Sequence, residues 1–254
     1  MNIVWDAEKY TKDFAFVHQY GDAVTDLIDC KPGAKVLDVG CGNGALSYKL
    51  QEKGFSVTGL DSSEDLLQIV WHNYPEVNFV KADAVSFSLD ETFDAVFSNA
   101  VFHWIDAKDQ DCLLKSIFKV LKPKGQLVFE MGGSGNNALI HRQLANIFTQ
   151  KGYAYKNPFY FPSIGEYALR LEKCGFKVQF AVLFDRFTEL KGKDGLSDWI
   201  RMFVKQPFEQ ISSLVEREEI IRTVLRNLEV KLYVNGKWHA DYVRLRMKAC
   251  KCVD

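Results

Sequence analysis

The chain has 254 residues, a formal net charge of -1 and a hydrophobic fraction of 47%. That length suits one large α/β domain or a domain plus a modest cap, and the apolar content is enough for a sizeable core. The near-zero charge and the lack of a long Lys/Arg block argue against a nucleic-acid phosphate track, and no apolar run is long enough to span a bilayer.

The N-terminal stretch MNIVWDAEKYTKDF mixes charges with aromatics and lacks a signal-peptide core, so a cytoplasmic location is expected. Residues 34–39 (AKVLDV) read as a short buried strand. The loop Gly40–Gly44 follows, then a helix over 45–53 with Leu46 and Leu50 on one face. A second strand over 55–60 ends at Asp61. Ser62 or Ser63 caps a helix reaching about Asn73, with Leu66, Leu67 and Val70 turned inward. Strands are expected at 77–80 and 93–97, a helix at 106–121, and a turn at 122–125 leading into a fifth strand at 126–131. Strands alternating with helices imply a parallel sheet with helices on both faces, and the nearly all-apolar strands agree.

After residue 135 the pattern changes. Helices are expected at 137–150 and 164–174. Val178, Phe180, Val182 and Phe184 alternate as one face of a strand, and Val243, Leu245, Met247 and Ala249 alternate with Arg244, Arg246 and Lys248 as a strand with one wet face. Between them lie two amphipathic segments: Leu196, Trp199, Ile200, Phe203 and Val204 share one helical face, and a second helix starts at a Ser213/Glu216 capping box. This insertion, 195–230, is either a cap over the site or ordinary core packing. The six cysteines, at 30, 41, 112, 174, 250 and 252, form no CxxC pair and match no zinc spacing, so they read as free thiols and no metal is expected.

The chemistry concentrates in Gly40-x-Gly42-x-Gly44, which follows a strand and opens a helix. Glycines there let the backbone turn tightly and let a ligand lie against it. Asp61 ends the next strand, placed to accept both hydroxyls of a ribose. A dinucleotide and S-adenosylmethionine both fit such a unit. The spacing is not the dinucleotide G-x-G-x-x-G, and Asp38 sits two residues before the first glycine. An acid there is awkward beside a pyrophosphate but suits an ammonium group, which favours the sulfonium ligand.

VLDVGCGNG (36–44) resembles motif I of class I S-adenosylmethionine-dependent methyltransferases. GLDSS (59–63), KADAVSF (81–87), FDAVFSNAVFHWI (93–105) and LKPKGQLVFE (121–130) resemble the later motifs in order, and SNAVFHW is most similar to the trans-aconitate methyltransferase-like branch of small-molecule enzymes. The resemblance implies a Rossmann-like, seven-stranded, mostly parallel sheet with the last strand antiparallel. It implies a single domain over 1–254, with a cofactor core at 30–135 and a helical cap from residues 1–20 and 195–230. It also implies S-adenosylmethionine as cofactor and S-adenosylhomocysteine as product. Carried over by position, Gly40, Gly42 and the Cys41 backbone hold the methionine part, and Asp38 supports their loop. Asp61 takes the ribose with Ser62 beside the adenine, Asp83 and Ala84 meet the adenine, and Asn99 faces the methionine amine or the transferred methyl. An N-terminal arm would bring Tyr10 to the methionine carboxylate and His18 toward the acceptor.

His103, four residues past Asn99, is a candidate general base, or a structural His packed next to Trp104. Trp104 and Tyr160 are candidate walls of an acceptor pocket. A carboxylate acceptor would need no base, whereas a hydroxyl or amine would need one. The expected partner is a small molecule, not nucleic acid or membrane, with the chain a monomer or homodimer. Two other classes compete: a cofactor-sensing regulator without turnover, and a NAD-dependent oxidoreductase.

Overall fold

Five short apolar strands build the centre of the molecule, and their order decides where a ligand can enter. The computed structural model describes residues 16–252, with side chains from Tyr20 onward. β1 (Lys35–Val39), β2 (Ser56–Asp61), β3 (Asn78–Lys81), β4 (Phe93–Asn99) and β5 (Leu121–Gly132) run parallel in the order β3-β2-β1-β4-β5. β8 (Lys237–Lys251) lies antiparallel between β5 and β6 (Phe176–Glu189), so the expected antiparallel strand is one in from the edge. The two-residue β7 (Tyr233–Val234) forms a hairpin with the start of β8.

Each face of the sheet is closed by helices that bury an apolar stripe. On one face, α1 (Phe16–Thr25), α2 (Ala45–Glu52) and α3 (Glu64–Asn73) contribute Val24, Leu46, Leu50, Leu67 and Val70 against Val36, Phe97 and Val128. On the other, α4 (Gln110–Val120) and α6 (Ile164–Lys173) set Leu113, Ile117, Tyr167 and Leu171 against Leu37, Phe129 and Met247. A further core joins α5 (Ala138–Gln150), α7 (Gly195–Phe203), α8 (Lys205–Phe208) and α9 (Leu214–Leu232) around Leu144, Trp199, Ile200 and Val224. Each such fully buried side chain is worth roughly 1.5–3 kcal/mol of transfer free energy. The expected caps form: Ser63 Oγ accepts from the Leu66 amide at 3.4 Å and Ser213 Oγ from the Glu216 amide at 3.2 Å.

Two expectations fail in the second half of the sheet. The alternation expected for β6 slips, because its register with β8 shifts between Val178 and Phe180. Beyond this bulge the odd positions Ala181 and Leu183 pack inward, and Phe180 is left exposed. The face of β8 expected to be wet is also dry at its key position. Arg244 is buried, because β8 is an interior strand covered on that face as well.

Candidate active site

In an open parallel sheet, ligands gather beyond the carboxyl ends of the strands where the order reverses. Here that point lies between β1 and β4, and a cleft of about 970 Å³, mouth included, opens there. One end is walled by Gly40, Gly42, Asp61 and Leu66. Gly40 has φ +76°, and a Cβ on it would stand 2.3 Å from Val101 Cγ2, so only glycine fits. Gly42 has φ +55° and a Cβ there would meet nothing within 4 Å, so the loop presents bare backbone to open space. Asp61 ties the loop to the end of β2: its Oδ2 accepts from the Gly42 amide and its Oδ1 from the Ser63 amide, both at 2.9 Å. Burial pushes the Asp61 carboxyl up from the usual carboxylate range, against the pull of those amides. Asp38 lies below the loop rather than in the cleft wall. It is buried, accepts from Ser47 Oγ at 2.6 Å, and is pushed up to about 7 by burial.

The middle of the cleft is the end of β4. Asn99 lines it, and the next residue, Ala100, has φ +62° while its amide donates to the Glu130 carbonyl at 2.8 Å. A left-handed alanine costs roughly 1–2 kcal/mol and turns the chain sharply there. The Phe102–Trp104 turn that follows is pinned by a buried amide: Gln110 Nε2 donates to the carbonyls of Phe102 and Ile105, both at 2.8 Å, and Tyr167 donates to Gln110 Oε1 at 2.8 Å. That brace fixes His103 and Trp104 in the wall. The Gly132 amide donates to His103 Nδ1 at 3.2 Å. Nδ1 is thus an acceptor, and the proton of the neutral ring sits on Nε2. Burial, aided by the nearby Arg244 charge, holds the imidazole well below its ordinary range. His103 meets the cleft as a hydrogen-bond donor, and the candidate base role does not suit this tautomer.

The far end is aromatic and basic. Trp104 stands edge-on to Phe159 with centroids 4.6 Å apart, Phe159 stacks on Phe161 at 5.3 Å, and Trp199 and Phe203 of α7 close the wall. Among these rings sits Glu130, the last acid of β5, with its side chain fully buried. Three guanidiniums converge on it. Arg186 donates from Nη1 and Nη2 at 2.6 and 3.0 Å, Arg244 from Nε at 3.2 Å, and Arg246 from Nε at 2.9 Å. Burial opposes the charge on Glu130, but the arginines, Arg244 foremost, hold its carboxyl below the ordinary range.

The cleft therefore brings together Gly40, Gly42, Asp61, Asn99, His103 and Trp104 of the expected residues. Cys41 is buried against the core, with its amide donating to the Leu60 carbonyl. Ser62, exposed Asp83 and buried Ala84 follow β2 and β3 outside the cleft wall. Tyr160 is a correction: its hydroxyl donates to Glu166 at 2.6 Å and accepts from Arg170, pointing away, while its neighbours Phe159 and Phe161 face the cleft. In an extended segment, alternate side chains take opposite sides, and Tyr160 is on the wrong one. Tyr10 lies outside the described residues, as does the His18 side chain, but Tyr20 of α1 does line the cleft. Sequence reasoning missed Glu130, Arg186 and Arg244. The available signal was an acid ending an apolar strand together with arginines alternating on a strand that the topology buries. Among the described residues, no group of three His, Cys, Asp or Glu side chains is arranged to hold a metal ion, and no helix is long and apolar enough to cross a membrane.

Residues 37–129 match the family model of a methyltransferase domain. The chain is 29% identical to an uncharacterized methyltransferase of Schizosaccharomyces pombe over 97% of this chain and 98% of that one. It is 32% identical to a trans-aconitate 2-methyltransferase of Azoarcus over half of each chain; it spans about half the length of the other curated relatives as well. A solved phosphoethanolamine N-methyltransferase of Haemonchus contortus, in complex with S-adenosylhomocysteine, shares the fold with a TM-score of 0.58 at 20% identity, covering 92% of this chain and 53% of that one.

Proposed function

The chain is a class I S-adenosylmethionine-dependent methyltransferase, and we propose that it methylates a small molecule seated in the aromatic and basic end of the cleft. One observation carries this reading: a single cleft runs from the glycine loop and Asp61 to Trp104, Phe159 and Trp199, so the aromatic and basic end is continuous with the loop end. A cofactor sensor would need only the first half.

The cofactor half fits its ligand. Gly40 and Gly42 leave the backbone bare, and Asp61 sets a carboxyl group at the end of β2, placed for a ribose. S-adenosylmethionine, when bound, supplies an electrophilic methyl group on a sulfonium. The protein's own residues position and exclude water. Asn99, at the end of β4, borders both halves. Trp104, Phe159, Phe161 and Trp199 dry the far chamber, so an anionic nucleophile there loses its hydration shell. His103 donates through Nε2 and orients the acceptor rather than taking its proton. We place α7 in the wall of the acceptor chamber, and α9 behind it, packed on α5 and α7. The protein is proposed to act in the cytoplasm on a metabolite.

The experiment is a screen of metabolites with methyl-labelled S-adenosylmethionine, reading the labelled product by mass. Turnover with at least one small acceptor is expected. Cofactor binding with no transfer to any metabolite, but transfer to a protein or nucleic acid, would overturn the small-molecule reading.

A further inference from the structure

The Glu130 cluster holds more positive charge than it needs. Among the described residues, one buried carboxylate faces three guanidiniums, a surplus of two positive charges. The side chains of Arg186 and Arg244 are only 13% and 9% exposed, and both line the cleft. Burying charge without a counter-charge is costly, so such a surplus marks a place where a negative group belongs. The three arginines are also used unequally. Arg186 gives both Nη groups to Glu130, whereas Arg244 gives only Nε; neither Nη of Arg244 makes a hydrogen bond among the described residues. Those two Nη groups form a planar fork, anchored to Glu130 through Nε.

We propose that Arg244, with Arg186 beside it and Glu130 as their brace, is the seat for a carboxylate group of the acceptor, which is a small organic acid with a flat apolar body. The fork offers two coplanar donors, which match the two oxygens of a carboxylate. The flat body follows from the ring walls, where Trp104, Phe159 and Phe161 surround the chamber. The seat belongs to the acceptor and not to the methionine carboxylate of the cofactor because of the strand order. β8 lies three strands from β1, on the far side of β4 and β5, and at about 4.8 Å per strand this puts its backbone roughly 14 Å from the glycine-loop strand.

This inference rests on the methyl-transfer reading, and the test separates the two. The full chain is saturated with S-adenosylhomocysteine and titrated calorimetrically with planar carboxylic acids of graded size, such as benzoate, cinnamate and indole-3-acetate. The primary amide and the phosphonate analogue of each acid are titrated in parallel. At least one acid is expected to bind tenfold or more tighter than its amide and its phosphonate. In Arg244→Gln and Arg186→Gln the dissociation constant of that acid should rise tenfold or more, while those of the amide and of S-adenosylhomocysteine stay within twofold. Arg244→Lys keeps the charge but loses the fork; it should stay folded and still lose at least fivefold for the acid, which keeps the test open if the Gln variant fails to fold. Acids that bind no better than their amides, or a phosphonate preferred to its acid, would overturn the seat while leaving the cofactor site standing. Loss of S-adenosylhomocysteine binding in a folded Arg244 variant would reassign the arginines to the cofactor. A wild-type chain that does not bind S-adenosylhomocysteine at all would defeat the earlier reading instead.

Discussion

Replacing Glu130 with Gln keeps its volume and one acceptor oxygen but removes the only carboxylate among the described residues that Arg186, Arg244 and Arg246 share. Three largely buried guanidiniums then repel one another with nothing between them. Deleting one partner of a buried ion pair costs about 3–5 kcal/mol, and for a chain of this size that is a fall in Tm of about 10 °C. Arg246→Gln should cost far less, because Glu130 keeps its bidentate bond to Arg186 and its bond to Arg244. The double variant Glu130→Gln/Arg246→Gln should recover part of the single Glu130 loss, since it sheds one surplus charge; a coupling of roughly 0.5–3 kcal/mol is expected for groups in direct contact. The assay is urea unfolding followed by circular dichroism, repeated across the acid range. Glu130 sits below its ordinary value in the folded chain, so its contribution is fully present above that ordinary value and is lost as pH falls through the folded one. The Gln variant should lack that part of the acid slope. A Glu130→Gln chain within 1 kcal/mol of wild type, or a double variant no more stable than that single one, would refute the account of the cluster as a strained surplus of charge.

The cofactor end makes three more predictions. Asp61→Ala removes the acceptor for the Gly42 and Ser63 amides and the candidate ribose partner. By calorimetry, S-adenosylhomocysteine binding should weaken more than tenfold, on the scale of a charged hydrogen bond of about 1.5–3 kcal/mol, and an unchanged affinity would contradict the ribose assignment. Gly42→Ala forces a left-handed alanine at φ +55° and pushes a methyl into the open space beside the loop. Stability should fall by only about 1–2 kcal/mol while cofactor affinity falls by more, so a loss confined to Tm would argue against ligand contact at Gly42. Asp38 is pushed up to about 7 in the folded chain, from an ordinary 3.8. The folded state thus holds its proton more tightly, and stability should drain away as pH rises from about 4 to about 7, by up to about 4 kcal/mol at 1.4 kcal/mol per unit. Asp38→Asn keeps an oxygen for Ser47 and should melt several degrees above wild type at pH 8, with little difference at pH 4.

The first half of this chain is legible because each of its signals has one physical meaning. An apolar strand, three glycines and a strand-ending acid specify a loop whose backbone must be bare, and Gly40, Gly42 and Asp61 meet in the cleft as expected. The second half is legible in its elements but not in its faces. The arginines of β8 alternate with apolar residues, and alternation alone says which residues share a side, not whether that side is wet. Only the pairing of β8 between β5 and β6 makes it interior and brings Arg244 and Arg246 to Glu130, more than 110 positions earlier in the chain. Tyr160 shows a smaller limit. An aromatic loop was recognisable in NPFYFPS, but which of its rings turn inward depends on a single step of phase, and the structure chose Phe159 and Phe161.

The bulge in β6 works like a frame shift in a coding sequence. Ahead of it, Val178 pairs with Ala249 and faces the α4/α6 side; past it, Phe184 pairs with Arg244 and Arg186 with Tyr242, on the side that carries Glu130. Strict alternation from Val178 would have sent Arg186 to the opposite face. One extra residue near position 179 thus decides whether the cleft has two arginines or one. Insertions and deletions at this edge, rather than substitutions among the residues that line the cleft, offer descendants of this fold a short path to acceptors of different charge.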